Sequence, residues 1–377
     1  MHSEHVPNVP HVKQEFLGMV FNGKNVGNIS VVPQQYNLNN GGRKDIRKVI
    51  ETLNNGEKGN LLVYSQHMQS VKDDLKKCFK LGDLGPTSWL LGVEITHDRA
   101  ERSLSLSQRQ YIISLLEHFN LSDCNPVSTP MDPSIKLSAS MSPSTPEDIQ
   151  AMHSISYLQA VGALMYLAVA TCPDISYTVG VLARFNKNPG LQHWKAVKHL
   201  FRSLKGTLDL KLTYAPSPSS DSLFVTYSDA DHGGNPDNGR STGGYVVKMG
   251  TGAISWSSCL QSIIALSTTE AEFVASTSAG QEILWLRSLF HELGYTIPSA
   301  SPLLIDSHSA LSVAKNPEHH GRMKYLDLHF YWLRDEVEKR AISVNHVCTD
   351  AMAADIMTKA LGRVKVLEMV GMLGLKK

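Results

Sequence analysis

Between Leu223 and Leu361 the sequence sets acidic residues at the ends or starts of separate elements, and this placement restricts the fold more than any other feature. LFVTYSDADHGG (Leu223–Gly234) is a β-branched apolar run that delivers Asp229 at its end. GRSTGGYVVKMGTGAISWSS (Gly239–Ser258) has the alternation and Gly punctuation of hairpin strands. LSTTEAEFVASTSAGQEILWLRSLFHELG (Leu266–Gly294) reads as one long helix, opened by a Ser cap and stopped at Gly294. PLLIDSHSA (Pro302–Ala310) is a short buried strand ending in Asp306. VNHVCTDAMAADIMTKAL (Val344–Leu361) reads as a strand followed by a helix that carries Asp355. Carboxylates on such separate elements serve one site only if they converge at one end of a sheet.

The motifs SDAD, RSTGGY, ISW, LSTTEAEF, DSHSA and ADIMTK occur in that order. Together they resemble the ribonuclease H domain at the C-terminal end of copia-type retrotransposon polyproteins. The resemblance implies an α/β, ribonuclease H-like domain: a mixed five-stranded sheet with flanking helices. It implies a helical thumb-like module and a partial reverse transcriptase palm before that domain. The expected division is 1–59 as an unassigned leader, 60–148 as a palm and primer-grip remnant with a Pro/Ser/Thr-rich linker, 149–215 as the helical module, and 216–377 as the ribonuclease H-like domain. Hydrolysis of the RNA strand of an RNA–DNA hybrid by the two-metal route needs carboxylates that hold two divalent ions ~3.5–4 Å apart. Magnesium suits hard oxygen ligands, and Mn2+ is the natural substitute.

Alternation along Leu223, Val225, Tyr227 and Asp229 puts Asp229 on one face of its strand, where it is expected to bridge both ions. Asp231 is the second choice, because Gly233–Gly234 ends the strand. In the long helix, Ser267 and Glu270 form a capping box that explains Glu270 structurally. Glu272 lies about 200° further around the helix, so the two cannot serve one ion. Glu272 also occupies the family's AEF position and is the favoured ligand. Asp306 reads equally as a helix N-terminal acid suited to the dipole, and the accompanying motifs decide for a ligand. Asp350 is placed as a cap, while Asp355 takes the family's ADxxTK position as fourth ligand. Substrate contacts are expected from Arg240, Ser241 and Thr242, and by resemblance from His320, Arg322 and Lys324. Tyr325 stands where the family carries a histidine, Tyr331 replaces a second, and a DWAG-like turn is altered to Asp231-His-Gly-Gly.

Upstream, NLLVY (Asn60–Tyr64) resembles the strand that runs into a YVDD-type turn in the family's polymerase, but Tyr64 is followed directly by SQHMQSVKDDLKKCF. The metal-binding turn is missing, so no polymerase activity is expected. Asp73 and Asp74 fit an exposed, Lys-rich helix face better than a replacement pair. Gly82–Gln108 reads as a hairpin about a turn at His97–Arg102, and Arg109–Phe119 as an amphipathic helix. Asn125–Asp148 has the composition of a linker that buries little. Ile155–Ala183 reads as two helices broken at Cys172–Pro173, and His193–Lys205 as a basic third. Its cations, with Arg184 and Lys187, lie near duplex phosphates or simply solvate one face; both readings stay open.

The totals are those of an ordinary soluble globular chain: 377 residues, 42% hydrophobic, 19% charged, net charge +1. No global basic field marks a polyanion partner, so nucleic acid would be held locally. Five scattered cysteines without a CxxC pair fit a reducing compartment, cytoplasmic or nuclear. The longest apolar run, Val161–Ala170, is far below the ~20 residues of a membrane span, and no secretory leader is recognisable. His2, His5 and His11 have no regular element to fix them as metal ligands. The expectation is a Mg2+-dependent hybrid ribonuclease without small-molecule cofactor or membrane partner. The competing reading is a degenerate remnant that folds and binds nucleic acid without cutting it.

Overall fold

The computed structural model of the chain describes residues 70, 72–79, 86–217, 222–315 and 327–377. The leader, the expected strand Asn60–Tyr64 with its Tyr64–Ser65 junction, and His320, Arg322, Lys324 and Tyr325 lie outside the described residues. The chain divides into two units, residues 1–91 with 289–296 and residues 92–288 with 297–377. Within the first, residues 72–78 are helical, Asp73 and Asp74 are exposed, and Asp74 pairs with Lys77 at 2.9 Å. A two-residue strand, β1 (Trp89–Leu90), belongs to the same unit.

The second unit opens with an antiparallel hairpin, β2 (Val93–Asp98) and β3 (Ser103–Ser107). Asp98 fixes its turn by accepting the amides of Ala100 and Glu101 at 2.9 and 3.0 Å. Helices α1 (Arg109–His118), α2 (Pro146–His153), α3 (Tyr157–Ala170), α4 (Ser176–Ala183) and α5 (Leu191–Gly206) follow. Pro173 denies a donor to the helical ladder, and a single 3-10 turn, Pro173–Ile175, separates α3 from α4. Leu164, Leu167, Leu182, Leu200 and Phe201 are all at 0% exposure in the helical core. Each contributes roughly 1.5–3 kcal/mol by leaving water. The polar stretch before α2 buries more than its composition predicts, because Met131 and Leu137 insert into this core at 7% and 4% exposure. Two apolar side chains are enough to anchor a Ser/Pro-rich segment. α2 then starts at Thr145, whose hydroxyl accepts the Asp148 amide at 3.1 Å, with Pro146 in the first turn.

β4 (Lys211–Tyr214) returns to pair with β3, Leu106 opposite Leu212. The second sheet contains β5 (Val225–Ala230), β6 (Thr242–Met249), β7 (Gly252–Leu260), β8 (Ser301–Ile305) and β9 (Ile342–His346), in the spatial order β7-β6-β5-β8-β9. β5, β6 and β7 form an antiparallel meander; β8 runs parallel to β5 and β9 parallel to β8. Parallel neighbours need crossovers. α6 (Thr268–Glu292) precedes β8, while α7 (His308–Lys315) and α8 (Asp327–Glu338) lead to β9. This is the mixed five-stranded, helix-flanked sheet of a ribonuclease H-like fold, preceded by a thumb-like helical block and partial palm-like strands.

Small residues let α6 lie close to the sheet. Ala271, Ala275, Ser276 and Ala279 are all within 3% of full burial, and the Ser276 hydroxyl meets that of Ser228 on β5 at 3.0 Å. After β9, the chain departs from expectation. Thr349–Ala351 and Ala353–Met357 are two short 3-10 turns separated by extended Met352, not the α-helix read from the sequence. α9 (Arg363–Met372) follows, and β10 (Leu375–Lys376) pairs antiparallel with β4. The Trp256 indole on β7 donates to the Ala168 carbonyl on α3 at 2.8 Å in a buried bond. Among the described residues no single helix is long and apolar enough to cross a membrane.

Candidate active site

β5 carries Asp229 to the sheet's rim at 1% exposure. Its partner across the ladder is Gly244 on β6, and the missing side chain there is what admits the next element. A Cβ on Gly244 would stand 2.5 Å from Met357 Cβ and 3.0 Å from Thr358 Cγ2. The second glycine of RSTGGY, Gly244, therefore makes room for the 3-10 segment that brings Asp355 and Thr358 beside Asp229. Thr358 donates its hydroxyl to Asp229 Oδ2.

α6 contributes Glu272 from its first turns, at 7% exposure. Glu272 Oε1 accepts the Ala230 amide at 3.3 Å, while Oε2 is buried with no hydrogen-bond partner. Glu270 does something else: its carboxylate accepts the Leu266 amide at 2.6 Å, and its own amide bonds Ser267 Oγ at 3.2 Å. The capping reading holds, except that Glu270 reaches one residue beyond the cap amide.

Asp306 follows β8 and is half-buried; Thr349 donates to its carboxylate at 3.1 Å. One carboxylate oxygen from each of Asp229, Glu272 and Asp306 lies within 4.8 Å of the other two. Asp355, at 4% exposure, is linked to Asp229 through Lys359. The ammonium is 2.8 Å from Asp355 Oδ1 and 3.2 Å from Asp229 Oδ2.

Acids gathered out of water raise one another's proton affinity. Burial, followed by the charges of Asp229 and Asp306, pushes the Glu272 carboxyl up to about 9. Burial and then Asp229 also raise Asp355. Burial opposes the charge of Lys359, but Asp229 and Asp355 outweigh it and push its ammonium up. One ammonium against four carboxylates leaves the rim short of positive charge. Hard oxygens within a few ångströms, one of them unpartnered in the interior, make a donor set fit for a divalent cation.

Residues 60–133 match the family described as reverse transcriptase (RNA-dependent DNA polymerase). The chain is 42% identical over 305 residues to the Retrovirus-related Pol polyprotein from transposon TNT 1-94 of Nicotiana tabacum, covering 80% of this chain and 23% of the relative. It is 43% identical over 135 residues to a Plasmopara viticola protein named secreted RxLR effector protein 161, covering 36% of this chain and 94% of that one. The chain belongs to the copia-type retrotransposon Pol family. This Pol chain spans about a fifth of the length of the retrotransposon Pol relatives it matches. A ribonuclease H1 from Halobacterium salinarum overlays 38% of this chain and 97% of its own at 18% identity and a TM-score of 0.24. At that score the overlay carries no argument, and the fold assignment rests on the strand order above.

In the Pol chain the remaining sequence-named residues fall around a neighbouring turn. Asp231 accepts the Thr242 amide and lies against the β5–β6 connection, where a Cβ on Gly234 would stand 2.0 Å from its carboxylate. Ser241 and Thr242 are buried. Ser241 Oγ accepts the Gly233 amide at 3.0 Å, and Thr242 Oγ1 accepts from Arg184 at 3.2 Å. Arg240 is half-buried beside them. Three residues escaped the sequence reading. Thr358 and Lys359 stood inside the quoted ADIMTK motif, where Thr and Lys at three and four residues past an acid are placed to return to it. His346 ends β9, stacks on His308 at 3.8 Å and contacts the Asp306 carbonyl at 3.2 Å. An apolar run ending in a polar residue had already marked Asp229, and NHV carried the same signal.

Proposed function

We propose that this chain is a divalent-cation-dependent ribonuclease that hydrolyses the RNA strand of RNA–DNA hybrids. The observation that carries the reading is the Asp229–Glu272–Asp306 cluster at one rim of a ribonuclease H-like sheet. Asp229 would be shared between two ions, Glu272 and Asp306 would hold one, and Asp355 would hold the other. Bound Mg2+, or Mn2+ in its place, would supply an activated water and steady the leaving 3′ oxygen. The protein's own part is to fix these oxygens: Thr358 orients Asp229, the Ala230 amide orients Glu272, and Thr349 orients Asp306.

Substrate contacts are assigned to Arg240, to the turn shaped by Ser241 and Thr242, and to His320, Arg322 and Lys324. A hybrid would be recognised through the 2′-hydroxyls of its minor groove, without base readout. The nuclease domain is assigned to 216–377, the helical module to 149–215, the palm and primer-grip remnant to 60–148 and the leader to 1–59. Five unpaired cysteines support a reducing cellular compartment, the cytoplasm or nucleus. No DNA synthesis is expected, because the sequence carries no paired-aspartate turn after Tyr64.

The test is cleavage of a labelled RNA–DNA hybrid in Mg2+ by the chain and by Asp229→Asn. Loss of a shared metal ligand should reduce the rate by about 10²–10³-fold or more, comparable with removing a group that stabilises transition-state charge. Hybrid binding without cleavage by either protein would instead establish the non-catalytic remnant, a reading favoured by Tyr325 in place of the family histidine.

A further inference from the structure

The gap between Asp229 and Asp355 already contains a cation. Lys359 bonds Asp355 at 2.8 Å and lies 3.2 Å from Asp229 Oδ2. Its partners are almost sealed, at 1% and 4% exposure, whereas the Lys359 side chain is 38% exposed. The ammonium therefore has an open side through which to withdraw, and a lysine stem has the rotamers to do so. Among Asp229, Glu272 and Asp306 the arrangement differs: one carboxylate oxygen from each lies within 4.8 Å of the other two, and Glu272 Oε2 is buried without a partner.

We propose that Lys359 is a displaceable internal cation that keeps the Asp229–Asp355 gap closed to a second divalent ion until the Asp229–Glu272–Asp306 side is loaded. This rests on the reading of the rim as a cation site and names its regulation. Asp229 faces both sides, so Lys359 loses part of its hold once the charge of Asp229 is shared with a cation beside Glu272. What remains is the pair with Asp355, whose carboxylate is buried, so Lys359 withdraws only as an incoming cation takes its place there. Lys359 thus ties filling of the second side to filling of the first.

The experiment is a Mn2+ binding isotherm on the full chain, following the free-ion EPR signal, for wild type, Lys359→Met, Lys359→Gln and Lys359→Arg. Wild type should show one tight class and one weaker class. Removing the charge should tighten the weaker class by ~10-fold or more, within the range of couplings between linked sites, and tighten the tight class by a smaller factor, because Lys359 also contacts Asp229. Lys359→Arg should keep the wild-type separation. Gln retains a neutral donor, so it reports even if the Met variant fails to fold. A tight class with the weaker one unmoved in the Met and Gln variants would overturn the inference and leave the nuclease reading standing. No Mn2+ uptake by wild type would overturn both.

Discussion

In the helical block, Arg202 donates to the Asn125 carbonyl at 2.7 Å, and Lys205 donates to the carbonyls of Ser122 and Cys124 at 2.5 and 2.7 Å. Arg184 donates to Thr242. These are three of the six basic residues for which duplex phosphates and simple solvation stood as open readings, and each is bonded to this chain's own atoms. At the rim of the second sheet, Glu272 is buried with one oxygen unbonded, and Asp229 and Asp355 share a single ammonium. The two regions belong to one unit and differ in what their polar atoms still lack. Charges matched by their own backbone belong to the architecture. Polar groups kept out of water without matching partners are held at an energetic cost that an incoming ligand can relieve.

That contrast can be broken or sharpened by substitution. Phe201→Ala, in the fully buried helical core, should cost about 3–5 kcal/mol in urea unfolding, while hybrid cleavage per folded molecule stays constant. A comparable loss of cleavage would mean that the helical block takes part in the chemistry. Gly244→Ala should cost about 1–3 kcal/mol by overpacking against Met357 and Thr358. Because the displaced segment carries Asp355, cleavage should fall by more than the loss of folded protein explains. Retained cleavage would remove the reason given for Gly244.

A subtler effect concerns pH. The ion-free folded state holds a proton on Glu272 up to about 9, against an ordinary carboxyl value of 4.5. Between those values the native chain binds a proton that the unfolded chain has released, so this contribution is complete below about 4.5 and is lost as pH rises toward about 9. Melting temperatures in chelator should therefore fall across that window, and Glu272→Gln should flatten the fall. Equal slopes for the two proteins would contradict the assigned burial of that carboxyl. Smallest of all, Lys205→Met should lower stability by about 0.5–1.5 kcal/mol and leave hybrid affinity within about twofold in a filter-binding titration. A larger loss of affinity would return this lysine to the duplex.

The sheet and its long helix were legible because local signals agreed with the global fold. Val225–Tyr227 alternates, Ser267 and Glu270 announce a helix start, and Leu303–Ile305 is short and apolar. The two glutamates were separable on paper because a capping role and a cluster role need different faces of one helix. The turn after β9 was not legible: alanines at 351, 353 and 354 have high helix propensity, yet packing against Gly244 imposes short 3-10 turns instead. Met131 and Leu137 were hidden by averaging, since a polar stretch is scored by composition and anchored by single side chains. Lys359 was invisible for a third reason. Its tip lies between two acids because the fold brings Asp229 to it from 130 residues away, a closeness no local pattern carries.

The rung that sets Leu375 opposite Leu212 joins positions roughly 160 residues apart, with the entire nuclease-like sheet lying between them in sequence. Loop closure over such a span is slow, and it waits for everything enclosed to be compact. On a ribosome, β4 emerges long before its partner exists, so this rung can form only after the whole sheet between them has been made. Arrival of β10 then works as a clasp of two residues, fastened late.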